Sequence, residues 1–156
     1  MIMIFKFLLL ISLLFPLLIL ADPIADPDAD FNTDKSEHHI APQSIDGASV
    51  VSATQVVEMV STNKKSVLID SRYVADRKQG YIQGSIALPN TQTNCNILKK
   101  HISDKAHPVI FYCNGVSCKR SEAAVKIALG CGYRQVFWFR GGLDEWIINK
   151  FPYVKE

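Results

Sequence analysis

The chain has 156 residues, 48% of them hydrophobic, with 17 basic and 15 acidic side chains and a net charge of +2. The charge is uneven. Residues 1–21 hold one lysine and residues 22–43 hold six acids against one lysine, so the 113 residues from Ser44 onward carry +6. That length supports one domain with a modest core and excludes two, and the excess positive charge suits a small anionic substrate. Nucleic acid is not the expected partner, because no basic stripe is interleaved with aromatic residues.

Taken in order, the first 21 residues contain a single charge, Lys6, then an apolar run from Phe7 to Phe15 with Ser12 as its one polar residue, Pro16 and a second short run ending at Ala21. This is the outline of a secretory signal peptide. A membrane anchor fits less well, since the run falls short of the ~20 residues of a spanning helix, Pro16 interrupts it and Asp22 follows at once. Cleavage after Ala21 would leave no stable membrane insertion and a periplasmic or secreted protein. Residues 22–43 read as a flexible acidic leader with repeated Asp-Pro pairs and almost no apolar periodicity. His38 and His39 lie there beside carboxylates, but adjacent histidines in such a stretch read as solvated, and neither a metal nor another cofactor is expected.

From Ser44 the pattern changes. Ala48–Val51 reads as a short strand, and Ser52-Ala-Thr-Gln55 as a capping box that opens a helix through Val56, Val57 and Val60. Val67–Ile69 reads as a buried strand closed by Asp70, Ala75–Gln79 as one helical turn before Gly80, and Ser85–Leu88 as a strand ended by Pro89. Asn94–Ile102 is an expected helix. Val109–Tyr112 is a four-residue apolar run that stops at Cys113, because Asn114 and Gly115 break it. Ser121–Leu129 has helical spacing and ends at Gly130 and Gly132. Val136–Phe139 is the last strand, Gly141-Gly142 a turn, and Leu143–Lys150 a closing helix with Trp146 and Ile147 facing inward. Strands alternating with helices predict an α/β domain with a mainly parallel sheet, in which ligands gather at the carboxyl ends of the strands.

Cys113 is expected at such an end, before a polar loop that leads into a helix. Unpaired N–H groups of the loop and of the first helical turn favour thiolate over thiol and can hold an anion beside it. The candidate anion-binding residues are Asn114, Gly115, Val116, Ser117, Cys118, Lys119 and Arg120, with Arg120 favoured over Lys119 because its fork can hold two oxygens. The competing reading is a cysteine that merely closes an apolar strand as a small buried hydrophobe.

Three stretches resemble the rhodanese family. Leu68–Pro89 is similar to its first signature, an Asp-x-Arg after a strand followed by Gly-x-Ile-x-Gly-[Ala/Ser]-Ile. Val109–Ala124 resembles its active-site loop, and Val136–Trp146 its terminal Gly-Gly-x-x-x-Trp. The resemblance implies a rhodanese-like fold, a central five-stranded parallel sheet with helices on both faces, spanning residues 44–156. It also implies sulfur transfer through a persulfide on Cys113, from a small anionic donor such as thiosulfate to a thiol acceptor or cyanide. Asp70, Arg72, Gly141 and Gly142 match structural rather than chemical positions of the family.

The loop departs from the commonest pattern. There an arginine follows the cysteine by five residues and a serine by six, whereas Arg120 and Ser121 come at seven and eight. Longer loops occur in the phosphatases and arsenate reductases of this fold, but their sixth-position arginine is Lys119 here, and the histidine before a phosphatase cysteine is Tyr112. Cys118 is the second departure. It either resolves a persulfide or sulfenate by forming a disulfide with Cys113, or simply packs within the loop. Cys95 and Cys131 make the count even, and spacing alone leaves their pairing open. Four functions remain: sulfurtransferase, exported thiol redox protein cycling Cys113 and Cys118, phosphatase or arsenate reductase, and non-catalytic binding module. The expected partners are a small sulfur donor and a thiol acceptor, which includes a partner protein, met by a monomer.

Overall fold

Two hydrophobic cores lie on opposite faces of one parallel sheet. The computed structural model describes residues 40–155. In chain order the elements are β1 (Ala48–Val50), α1 (Ala53–Thr62), β2 (Val67–Asp70), a 3-10 turn (Val74–Gln79), β3 (Ile86–Ala87), α2 (Cys95–His101), β4 (Val109–Tyr112), α3 (Lys119–Gly130), β5 (Val136–Phe139) and α4 (Gly142–Ile148). The five strands pair in the order β1-β5-β4-β2-β3, and every pairing is parallel.

The central strand β4 is buried along its whole length, which explains why its sequence is an unbroken apolar run rather than an alternation. Successive residues face opposite cores. Val109 and Phe111 join Leu98 and Ile102 near α2 and Ala124, Val125 and Ala128 of α3; Ile110 and Tyr112 join Ala53 and Val56 of α1 and Leu143 and Trp146 of α4. Each large side chain so buried contributes roughly 1.5–3 kcal/mol by leaving water.

The helices begin where the sequence places caps. The Ser52 backbone N–H donates to Gln55 Oε1 at 2.9 Å and the Gln55 N–H to Ser52 Oγ at 3.4 Å, which is the expected capping box. Asn94 caps α2 by accepting from the N–H groups of Asn96 and Ile97. Cys95 and Cys131 form a disulfide, with 5.3 Å between their Cα atoms, which fastens the start of α2 to the end of α3.

Four expectations need correction. Helix α3 begins at Lys119, two residues before the first residue of its apolar spacing, so Lys119 and Arg120 lie in its first turn. Gly142 opens α4 rather than completing a turn. Ile147 is 41% exposed, and the inward face of α4 is carried by Leu143 and Trp146. The folded unit also starts before Ser44: Ala41 is buried in the α2–α3 core, and Arg140 donates to the carbonyls of Ala41 and Pro42, both at 2.8 Å. The expected signal peptide, most of the acidic leader, and His38 and His39 lie outside the described residues. Among the described residues no helix is long and apolar enough to cross a membrane.

Candidate active site at the end of β4

Cys113 stands one residue beyond β4, 1% exposed, at the carboxyl end of the sheet. The loop from Asn114 leads to Cys118, which is the N-cap residue of α3. Cys113 and Cys118 are joined by a disulfide, with their Cα atoms 6.2 Å apart. A strand end, a five-residue separation and a helix start therefore bring together the two thiols that the sequence singled out.

The loop's backbone is oriented one carbonyl at a time. The Cys113 carbonyl accepts from the Leu143 N–H at 2.9 Å, and the Asn114 carbonyl from the Asp144 N–H at 2.8 Å. The Gly115 carbonyl accepts from the Cys118 N–H at 3.0 Å, and the Val116 carbonyl from the Ala41 N–H at 2.8 Å. All four carbonyls are thus held by backbone donors. The N–H groups of Asn114, Gly115, Val116 and Ser117 have no backbone acceptor among the described residues. With the free N–H groups of the first turn of α3, they leave this loop rich in donors, which is an anion-binding arrangement.

Gly142 makes that orientation feasible. It has φ +56°, and a Cβ there would collide with the carbonyl oxygens of Cys113 and Asn114. The double glycine is therefore a close-approach site that lets α4 present its first N–H groups to the loop. Gly115 is constrained from the other side, since a Cβ on it would overlap the Asp144 carboxylate. Burial raises the Asp144 pKa above the ordinary carboxylate value, against the opposing pull of Arg72.

Behind the loop sits a buried ionic network. Asp70, 0% exposed, accepts from Arg72 Nε at 2.9 Å and Nη2 at 2.7 Å, from Arg77 Nη1 at 3.1 Å and from the Tyr112 hydroxyl at 2.8 Å. Arg72 also donates to the Gly80 carbonyl at 2.8 Å and reaches Asn114 Oδ1 at 3.3 Å. A buried carboxylate is tolerated only with this number of donors. Burial lowers the Arg72 pKa, but the Asp70 contacts more than offset it and the net shift is upward. Burial, reinforced by the Asp70 charge, pushes the Tyr112 hydroxyl well above its ordinary value. Asp70 and Arg72 thus tie the ends of β2 and β4 to each other and to the first residue of the loop.

The basic pair divides. Arg120 donates to Asp76 Oδ2 at 2.7 Å and lies over the Tyr73 ring at 4.5 Å, so its guanidinium is already engaged with the 3-10 turn. Lys119 is exposed and forms no ion pair among the described residues. Of the two expected anion ligands, Arg120 is the one whose side chain is already held by other residues. Both border an open cleft of about 360 Å³ with Tyr73, Asn114, Ser117 and Cys118.

Sequence reasoning missed Tyr112, Arg77, Leu143 and Ala41. Tyr112 was read as an apolar strand residue and as a departure from the phosphatase pattern, although a hydroxyl at the end of a buried strand needs a partner. Arg77 sits seven residues from Asp70 in an irregular turn, and Leu143 and Ala41 act through backbone N–H groups that no side-chain pattern reveals.

A parallel sheet with helices on both faces and a donor-rich, cysteine-bearing loop at its carboxyl end defines a class of α/β domains. The rhodanese-like domain matches residues 52–149, and the chain belongs to that family. Among solved structures it resembles a rhodanese with anions from E. coli, at 28% identity over 58% of this chain and 99% of that one with a TM-score of 0.50. A rhodanese-related protein from Thermoplasma volcanium is 24% identical over 69% of this chain and 99% of its own, with a TM-score of 0.56. A thiosulfate sulfurtransferase from Pseudomonas aeruginosa is 18% identical with a TM-score of 0.60; the match covers 69% of this chain and 20% of that longer protein. A search of curated proteins finds no match.

Proposed function

We propose that the protein is a sulfurtransferase in which Cys113 carries a persulfide and Cys118 is its resolving thiol. The observation that carries this reading is the loop itself: four carbonyls held by backbone donors, and four consecutive N–H groups without a backbone acceptor beside a cysteine at a helix start. Such a loop stabilises a thiolate, and then a persulfide anion, without needing a metal. The reduced Cys113 thiolate attacks the outer sulfur of thiosulfate, a sulfur–sulfur bond forms, and sulfite leaves with the electron pair of the bond that breaks. Transfer of the outer sulfur to an acceptor thiolate or to cyanide returns the Cys113 thiolate. When no acceptor arrives, the Cys118 thiolate attacks the Cys113 sulfur and expels hydrosulfide, leaving the disulfide.

Lys119 attracts the anionic donor, and the amides of Asn114–Ser117 hold its oxygens. Arg120, occupied by Asp76 and Tyr73, holds the 3-10 turn against α3. The same engagement argues against a phosphatase, which needs a free guanidinium for its ester oxygens. The domain works as an exported monomer, periplasmic or secreted: the pattern of residues 1–21 and two cystines in one small domain both suit an oxidising compartment. Its partners are the small donor and a thiol acceptor, not nucleic acid.

The second reading is a thiol–disulfide redox protein, and the Cys113–Cys118 disulfide favours it. Mass spectrometry of the reduced full chain after thiosulfate separates the two. An adduct of one sulfur atom on Cys113, longer-lived in Cys118→Ser, supports transfer. A disulfide with no adduct in either protein supports redox cycling and overturns the first reading.

A further inference from the structure

Ser71 lies between Asp70 and Arg72, yet its side chain takes no part in their network. The residue is 0% exposed, and its hydroxyl has no hydrogen-bond partner. A buried hydroxyl left unpaired is costly, so a partner is expected in some state of the protein.

The backbone register identifies that partner. The ladder between β2 and β4 pairs Ile69 with Phe111 and Asp70 with Tyr112. The Ser71 N–H donates to the Tyr112 carbonyl at 2.9 Å, and in a parallel ladder this bond pairs Ser71 with the residue after Tyr112, which is Cys113. Paired residues project from the same face of a sheet, and successive pairs alternate. Asp70 and Tyr112 meet on the α1–α4 face, where their side chains are 2.8 Å apart. Ser71 and Cys113 therefore share the α2–α3 face, where α3 begins.

We propose that the Ser71 hydroxyl is a hydrogen-bond donor to the Cys113 sulfur whenever that sulfur is an anion, as thiolate or as persulfide. In the disulfide the sulfur is neutral and a poor acceptor, and the hydroxyl is left unpaired. Opening the disulfide creates a charged acceptor at the paired position, and a charge-assisted bond is roughly twice as strong as a neutral one. The hydroxyl thus adds a side-chain donor to the loop amides and favours the open, reactive form over the disulfide. The rival partner is Asn90, whose N–H donates to the Ser71 carbonyl at 3.2 Å and whose Oδ1 is likewise buried and unpaired. A bond to Asn90 would be indifferent to the state of Cys113.

The role in turnover rests on the sulfur-transfer reading, whereas the hydrogen bond does not, and the test keeps them apart. The charged groups around Cys113 are Arg72 paired with Asp70, Lys119, Arg120 paired with Asp76, and Asp144. None is altered by changing Ser71. The full chain is reduced, and alkylation of Cys113 by iodoacetamide is followed against pH by peptide mass spectrometry in wild type, Ser71→Ala, Ser71→Gly and Ser71→Thr. Removing the hydroxyl is expected to move the midpoint upward by about one pH unit, a tenfold loss of thiolate below the midpoint, and Ser71→Thr is expected to restore it. Ser71→Gly serves if Ser71→Ala does not fold. An unmoved midpoint in the variants lacking the hydroxyl, or a Ser71→Thr midpoint equal to theirs, overturns the proposal in favour of Asn90. Thiocyanate formation from thiosulfate and cyanide is measured in parallel. A moved midpoint in a protein that makes none sinks the sulfur-transfer reading alone, and an unmoved midpoint in an active enzyme sinks the Ser71 bond alone.

Discussion

Helix α3 has a cystine at each end, and the two are opposites. Cys131, its C-cap, is bonded to Cys95 across 36 residues, while Cys118, its N-cap, is bonded to Cys113 across five. In the chain-entropy model the long closure restricts the unfolded chain by about 4 kcal/mol and the short one by about 2 kcal/mol. Their surroundings differ more. Cys113 is next to a run of amides without a backbone acceptor among the described residues, close to a helix N-terminus, a setting that in general favours a thiolate. Cys131 is at the helix C-terminus, where the dipole disfavours a thiolate, although its partner Cys95 heads the short helix α2. On the sulfur-transfer reading the long cystine stays shut and the short one opens.

The sharpest way to test the contrast is to remove one sulfur from each pair. Cys113→Ser is expected to bring thiocyanate formation down to the uncatalysed background while leaving urea unfolding displaced by no more than the short closure, because the hydroxyl is not ionised at neutral pH. Cys131→Ser is expected to do the reverse, lowering unfolding free energy by about 2–5 kcal/mol while the folded fraction keeps its alkylation rate at Cys113. Equal stability losses in the two variants would erase the distinction. A subtler measurement is graded reduction with a dithiol of stepped potential, read by mass spectrometry of alkylated peptides. Cys113–Cys118 should open at the less reducing end, since a stabilised thiolate makes a disulfide easier to reduce; opening of Cys95–Cys131 first would contradict the assignment.

The smallest expected effect concerns the first turn of α3. Lys119→Gln should raise the apparent KM for thiosulfate a few-fold and flatten its dependence on salt, since an exposed charge is screened at ~0.15 M. Arg120→Gln should leave KM closer to wild type and lower thermal stability instead, because it breaks the Asp76 bond and the Tyr73 contact. Steady-state kinetics at two salt concentrations and a melting curve check both, and a larger KM change in Arg120→Gln would restore the ranking expected from sequence.

The sheet and the placement of Cys113 were legible because both follow from local rules. Val109–Tyr112 and Val136–Phe139 are short apolar runs bounded by breakers, and Cys113 ends one of them. Ser52 announces its helix through a capping box. The start of α3 was misread because Lys119 and Arg120 carry no apolar periodicity, although a helix's first turn needs none. The pairing of Arg120 with Asp76 spans 44 residues and arises only when the 3-10 turn folds back beside α3. The carbonyl tethers were hidden for the same reason: Leu143, Asp144 and Ala41 donate through backbone atoms, which are identical in every residue but proline. Ile147 was placed inward on hydrophobicity alone, whereas the short helix α4 has room on its buried face for Leu143 and Trp146 only.

The connection through Ala41 has a mechanical meaning. A load applied to the chain on the N-terminal side of Ile40 reaches Ala41 before it reaches β1. There it meets three hydrogen bonds: Ala41 N–H to the Val116 carbonyl, and Arg140 to the carbonyls of Ala41 and Pro42. At about 1 kcal/mol for the backbone bond and roughly 1.5–3 kcal/mol for each bond from the charged guanidinium, they contribute part of the ~5–15 kcal/mol that stabilises a domain. The expected first consequence of tension is loss of the Ala41 bond to the Val116 carbonyl, one of the four tethers of the loop. On the proposed function, a pull on the chain before Ala41 would be felt at the Cys113 sulfur while the sheet stays whole.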